Sequence, residues 1–202
     1  MSPRREFRLL LAAATALALL AAVGCRDLAT WAMESAPVFL AAAAAPFVPA
    51  PSRLLGRLLF AHGLVLIVGS HWTYAEVPAG NWVREAFGLA RNPYDRLGHL
   101  FQGFVPALLA REALLRSGWV AAARPAATLA VAAALAFSAV YELLEWAAAA
   151  AIGQAADAFL GTQGDSWDTQ ADMGCALLGA AAAVLLLSRA HDRSIRNLAE
   201  TP

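Results

Sequence analysis

Long stretches of this chain hold almost no charge, and nothing else in it restricts the fold so strongly. Leu9 to Val23, Leu54 to Gly69 and Ala126 to Phe137 are nearly continuous apolar sequence, close to the run of about 20 residues with which a helix crosses a bilayer. A soluble core of this size has no use for such runs. With 60% hydrophobic and 15% charged residues, the mean hydropathy of +0.56 lies outside the soluble globular range. The 15 basic and 15 acidic residues cancel, so the chain lacks the basic balance that nucleic-acid binding requires. Cys25 and Cys175 are too few for a disulfide framework, and a bridge between them needs both at an oxidising membrane face.

Cutting the chain at Pro, Gly and charge clusters leaves six apolar segments: Arg8 to Cys25, Trp31 to Ala50, Ser52 to His71, Tyr94 to Arg116, Pro125 to Gly153 and Asp168 to Ser188. The fourth is the least apolar, because Asp95, Arg96, His99 and Gln102 fall at its start. If it inserts only partly, five spans remain. Arginines should alternate between loops if the count is right. Arg4, Arg5, Arg8, Arg53, Arg57, Arg111, Arg116, Arg124, Arg189, Arg193 and Arg196 fall on one side of a six-span arrangement, leaving Arg26, Arg84, Arg91 and Arg96 for the other. The expected fold is therefore an all-α integral membrane protein. It is a bundle of about six transmembrane helices with both termini cytoplasmic, forming a single polytopic membrane domain over residues 1–202. Trp31, Trp72, Trp82, Trp146 and Trp167, with Tyr74, Tyr94 and Tyr141, read as an outer aromatic belt, and Trp119 marks the inner interface.

Two features of the N-terminus imitate processing signals. Arg4-Arg5-Glu6-Phe7 resembles a twin-arginine export signal and Ala22-Val23-Gly24-Cys25 a lipoprotein cleavage box. The box lacks its usual leucine, and the favoured reading is an uncleaved first helix held by a basic flank. The alanine runs Ala41 to Ala45, Ala132 to Ala134 and Ala147 to Ala151 predict closely packed helices, since small side chains let backbones approach.

Ionisable groups inside a bilayer are costly and mark function or pairing. Asp95, His99, Gln102 and Pro106 share one helical stripe; Ser138, Tyr141, Glu142 and Glu145 form a second; Asp168, Asp172, Cys175 and Gly179 form a third, preceded by Asp165. Alternating spans bring all three stripes beneath the outer interface. One histidine and up to six carboxylates would repel there unless they share protons or hold a cation. A divalent metal at Asp95, His99, Asp165, Asp168 and Asp172 resolves the charge: an oxygen-rich set with one imidazole suits magnesium, calcium or manganese, and a subset suits zinc or iron. Bland readings stand beside this. Asp95 and Asp168 sit where aspartate caps a helix, His99 alone fits an interior hydrogen-bonded histidine, and Arg96 could reach across to pair with Glu142 or Glu145. Glu142 and Glu145 are harder to dismiss, because carboxylates near a helix C-terminus oppose its dipole.

His71-Trp72-Thr73-Tyr74-Ala75-Glu76-Val77-Pro78 reads better as an interface anchor than as a second acid and histidine at the site. Arg111-Glu112 reads as an intrahelical or interfacial pair, and Gly161 and Gly164 as turn glycines. The Arg84 to Arg91 loop could contact a partner. Phosphate-binding loops, nucleophile elbows, His-Glu-x-x-His and Cys-x-x-Cys motifs and internal repeats are absent.

Four motifs in this order, Tyr74-Ala75-Glu76-Val77-Pro78, Tyr94-Asp95-Arg96-Leu97-Gly98-His99, Tyr141-Glu142-Leu143-Leu144-Glu145-Trp146 and Gly161 through Met173, resemble the YjdF family of bacterial inner-membrane proteins. The resemblance covers nearly the whole chain and implies an inner-membrane location. A looser similarity joins it to VanZ-like membrane proteins, which also place an acid four residues before a histidine, a glutamate in a later span and an aspartate opening the last helix. The asparagine usual after that aspartate is missing here.

These readings predict a site that acts on a lipid or envelope-linked small molecule. Asp95, His99, Asp168 and Asp172 would hold the metal, and Glu142 or Glu145 would serve as catalytic general base. The alternatives are a proton-coupled transporter, disfavoured because no comparable cluster is evident on the inner half, and a non-catalytic assembly protein whose charges fix helix packing.

Overall fold

The computed structural model describes residues 1–152 and 163–199, and among them every regular element is helical. The helices are α1 (Pro3–Ala21), α2 (Leu28–Ala44), α3 (Arg53–Trp72), the short α4 (Pro78–Phe87), α5 (Tyr94–Arg116), α6 (Ala123–Ile152) and α7 (Asp168–Ala199), with a 3₁₀ turn at Tyr74–Glu76. Three stretches are long and apolar enough to cross a membrane, Arg53–Trp72, Ala123–Ala151 and Asp168–Leu198, and Leu28–Ala44 is a shorter apolar helix.

Local sequence explains the boundaries. Ser2 and Asp27 cap α1 and α2, accepting the N–H of Arg5 and of Thr30, as short polar side chains do at helix starts. α2 ends at Ala44 rather than Ala50, because Pro46, Pro49 and Pro51 follow it and a proline has no N–H with which to continue the helical hydrogen bonds. α7 continues eleven residues past Ser188 to Ala199, since its polar last turns find partners on α5. α4 was missed as a helix: Val77 precedes a proline at its first position and Gly88, with φ of 62°, ends it. Trp82 and Phe87 on α4 are exposed.

The helix ends sort into two sets. At one end Arg57 meets Glu6 at 2.7 Å, Arg116 bonds the Ala50 carbonyl and Leu54 N–H donates to Ser194, so the ends of α1, α3, α5 and α7 that carry most of the arginines are neighbours. At the other, His71 meets the Ala21 carbonyl, Arg26 pairs with Glu76, and Asn92 exchanges hydrogen bonds with Gln163. This is the grouping that the alternating arginines implied.

The helix that fails a hydropathy test is the most central. α5 touches α3, α6 and α7 and buries Asp95, His99, Gln102, Arg111 and Glu112 along with Val105 and Leu108. Its polar groups therefore face protein, where partners can satisfy them. α5 and α7 run parallel and nearly touch: a Cβ on Gly103 would lie 2.7 Å from Ala176 Cα, and one on Gly179 would lie 3.0 Å from the Phe104 nitrogen. Small residues at a membrane helix crossing permit this approach. Leu55, Val105, Leu108, Ala134, Ala180 and Ala183 fill the core between α3, α5, α6 and α7.

Of the aromatic belt, Trp82, Trp146, Trp167 and Trp119 are exposed. The tyrosines turn inward, Tyr94 donating to the Val65 carbonyl. Tyr74 corrects the anchor reading of its loop, since its ring lies so close to α3 and α5 that a Cβ on Gly69 would be 2.5 Å and one on Gly98 2.7 Å from ring carbons. Cys25 and Cys175 are both free thiols.

Replacing Gly103 with alanine should lower the thermal midpoint in detergent, a loss of about 1–3 kcal/mol or more, because the added methyl meets backbone that cannot rotate away. Gly174→Ala, with nothing within 4 Å of the new Cβ, should leave the midpoint unchanged in the same fluorescence-detected chromatography assay.

Candidate functional site

The first turns of α5 and α7 lie side by side, which places Asp95 and Asp168 at two adjacent helix N-termini. Carboxylates are favoured there by the helix dipoles, and both are also held by arginines. Arg91, four residues before Asp95, meets that carboxylate at 2.9 Å and also contacts Asp165 and Asp168. Arg96 reaches across to α7, with Asp168 at 2.8 Å, Asp165 at 3.1 Å and Asp172 in direct contact. It also donates to the Asp168 carbonyl at 3.1 Å. Two guanidiniums thus bind four aspartates, and the forked geometry of arginine suits such bridging.

Asp165 is the outermost member. It accepts the Trp167 N–H and faces Arg96 and Arg91, which holds its carboxyl below its ordinary value of 3.8. The preceding turn is formed by Gln163 and Gly164, with φ of 49° and 83°; Gly161 lies outside the described residues. Asn92, wholly buried, ties α4 and the start of α5 to Gln163 through bonds to Val77, Asn81 and Tyr94. That network fixes the loop carrying Asp165.

His99 lies one turn deeper. Its Nδ1 is 3.0 Å from Gln102 Oε1 and 3.6 Å from Glu142 Oε1, while Nε2 faces Asp95 at 3.6 Å and Asp172 at 3.7 Å. A bare lone pair on Nε2 would point at two carboxylates, so that nitrogen must carry a proton or meet a cation. Asp95, His99 and Asp172 offer one ligand atom each within 4.8 Å of one another. The structure therefore divides the five predicted ligands: Asp95, His99 and Asp172 converge, while Asp165 and Asp168 face the arginines. Of the predicted bases, Glu142 is buried against His99, with Oε1 lacking a hydrogen bond, and Glu145 lines a neighbouring cavity.

That cavity, of about 230 Å³, is lined by α1, α2, α3, α5 and α6. Asp95, His99, Glu34, Tyr74, Tyr141 and Glu145 form one end, and the walls run past Gln102 and His62 to Phe7, Leu10, Leu59 and Phe60 near the arginine-rich end. Burial pushes the Tyr74 phenol well above its ordinary value, so it remains a hydrogen-bond donor facing Glu34.

Sequence reasoning missed Glu34, Arg91 and the inward role of Tyr74. Glu34 had a signal, a carboxylate within an apolar segment; Arg91 had one too, four residues before Asp95. It also missed a second buried cluster. At the arginine-rich end His191, with no exposure, meets Glu112 at 2.9 Å; Glu112 also accepts from Ser52 N–H and Arg116 at 2.8 Å each, and Arg111 pairs with Asp192 at 2.7 Å. Arg111 and Glu112 thus each find a partner on α7 rather than pairing with one another, and the arginine-rich half does carry polar groups.

The fold and site together define a multi-pass helical membrane protein with a partly buried arginine, aspartate and histidine cluster at the polar end of a largely apolar cavity. The chain belongs to the family described as predicted membrane protein (DUF2238), whose model matches residues 7–193. It is 52% identical over 179 residues to the inner membrane protein YjdF of Escherichia coli (strain K12), covering 86% of this chain and 85% of that one. The match agrees with the inner-membrane location the motifs implied; the VanZ-like similarity gains no support from it. No solved structure matches.

Removing one charge partner from a buried network strands the others, at about 3–5 kcal/mol. Arg96→Gln should accordingly cost most of the folded yield in detergent, while Arg26→Gln, at an exposed pair, should cost little. Asp165 predicts a separate acid limb. Because its folded value is depressed, its contribution is present above pH 3.8 and lost as pH falls through the lower folded value. Asp165→Asn should flatten that limb in a pH series of thermal midpoints.

Proposed function

We propose that this protein is a single six-span domain with both termini cytoplasmic, and that its cavity binds a lipid or envelope-linked amphiphile from the outer side. Eleven of the fifteen arginines sit at the end assigned to the cytoplasm, as the positive-inside rule requires. The observation that carries the functional reading is the gradient along the cavity. Carboxylates, phenols and an imidazole gather at one end, and a wall of Leu, Phe, Ala and Val continues from it, the distribution that an amphiphile's head and tail demand.

Asp95, His99 and Asp172 are the residues that would hold a divalent cation. Their fit rests on geometry: Nε2 to oxygen separations of 3.6 and 3.7 Å are near the edge of about 3.4 Å expected between ligands each 2.0–2.1 Å from a tetrahedral metal. Bound there, a cation supplies Lewis acidity toward a phosphate or ester. Arg96 holds Asp172 in place, and Asp165 and Asp168 hold Arg96. Gln102 opposite Nδ1 directs Nε2 toward the aspartates. Glu142, beside His99, is placed to accept a proton, with Glu145 the alternative from the cavity side.

Proton-coupled transport gains the cluster around Glu112 and His191, but Gln102 and His62 are isolated polar groups in an otherwise apolar cavity wall, and the core of Leu55, Val105 and Leu108 between the two clusters is apolar. A continuous polar track is what a proton relay needs, and the amphiphile reading is preferred.

Metal analysis by mass spectrometry on detergent-purified protein tests the site. The wild type should carry close to one equivalent of divalent metal, and His99→Ala and a Glu142→Gln, Asp172→Asn double variant should lose it. Wild-type protein without metal, after metal is offered back at neutral pH, overturns the metal assignment.

A further inference from the structure

The polar end of the cavity has an unusual composition. Glu34 is 8% exposed and Glu145 also lines the space, while no arginine lines it among the described residues. The guanidiniums of Arg91 and Arg96 are engaged with the aspartates on the α5–α7 side. The phenols of Tyr74 and Tyr141 lie close to the Glu34 carboxyl, and the Tyr74 ring is wedged against Gly69 and Gly98, so the wall around Glu34 is rigid and aromatic. Further in, the buried Nε2 of His62 lines the same cavity without a hydrogen-bond partner, an unsatisfied group in a space that otherwise turns apolar.

Carboxyl groups beside phenol oxygens, without competing guanidiniums, form an environment that accepts an organic ammonium. Its N–H groups then donate to carboxyl and phenol oxygens, and charge-assisted hydrogen bonds of this kind are the strong ones. We infer that the Glu34, Glu145, Tyr74 and Tyr141 end of the cavity binds the ammonium group of an amphipathic amine, with its hydrocarbon tail along the apolar wall toward Phe7. This rests on the amphiphile reading of the cavity and makes no use of the metal.

Native mass spectrometry in detergent with EDTA present tests it. The probes are phosphatidylethanolamine, its N-acetylated form with identical chains, and free ethanolamine. Phosphatidylethanolamine should be retained at least tenfold more tightly than the N-acetylated lipid, and free ethanolamine should not be retained. Glu34→Gln should reduce the preference to within twofold, and Glu76→Gln, at the exposed pair with Arg26, should keep it. If Glu34→Gln does not yield monodisperse protein, Glu145→Gln and Tyr74→Phe give the same readout. Equal retention of the two lipids, or an unchanged preference in the cavity variants, overturns the ammonium assignment while leaving the amphiphile cavity standing. Retention of neither lipid overturns both. Tight retention of free ethanolamine makes the ligand a soluble amine and overturns the tail placement.

Discussion

The close parallel contact of α5 and α7 sets the conditions for everything else. Parallel helices bring two N-terminal dipole ends together at one face of the membrane and two C-terminal ends together at the other, an arrangement that electrostatics opposes unless charges of the right sign are supplied. Asp95 and Asp168 stand at the paired N-termini, and Arg111, Arg116 and Arg193 stand toward the paired C-termini. Gly103 and Gly179 allow the backbones to approach without intervening side chains. The same approach places Asp172 opposite His99 and His191 opposite Glu112, so both polar clusters are products of one helix pairing.

The acids at the end opposite the arginine-rich one do two different jobs. Asp165 and Asp168, with Arg91 and Arg96, form a bridge that binds the loop before α7 to the start of α5, and a buried bridge of this kind contributes position more than net stability. Asp95 and Asp172 belong both to that bridge and to the environment of His99. Glu142 sees only the histidine side, and Glu34 and Glu145 see the cavity. Structural pairing and chemistry therefore meet at two aspartates, and the packing explanation of the charges accounts for the arginine side without accounting for Glu34, Glu142 or Glu145.

Between the clusters the bundle core is apolar. Leu55, Val105, Leu108 and the small residues of α6 and α7 fill the centre, while the cavity lies to one side, between α5 and the α1 to α3 group. An apolar passage beside a packed core accepts a hydrocarbon chain and carries ions poorly, which separates binding of an amphiphile from conduction of charge.

Much of this was legible from residue order. Apolar runs of bilayer length determine helical spans, because backbone groups in lipid must be satisfied within the segment. The alternating arginines determine which helix ends share a face, and the i, i+4 spacing of Asp95 and His99, and of Asp168 and Asp172, determines which side chains share a stripe. Partners across helices were beyond reach, because nothing local states which stripe faces which. Tertiary packing alone assigned Arg91 and Arg96 to the aspartates, turned Tyr74 inward against two glycines, carried Glu34 of α2 to the mouth of the cavity and joined His191 to Glu112. Charge spacing is a property of one helix, whereas neutralisation depends on the neighbour that sterics permit, and here glycine at the α5–α7 crossing chose that neighbour.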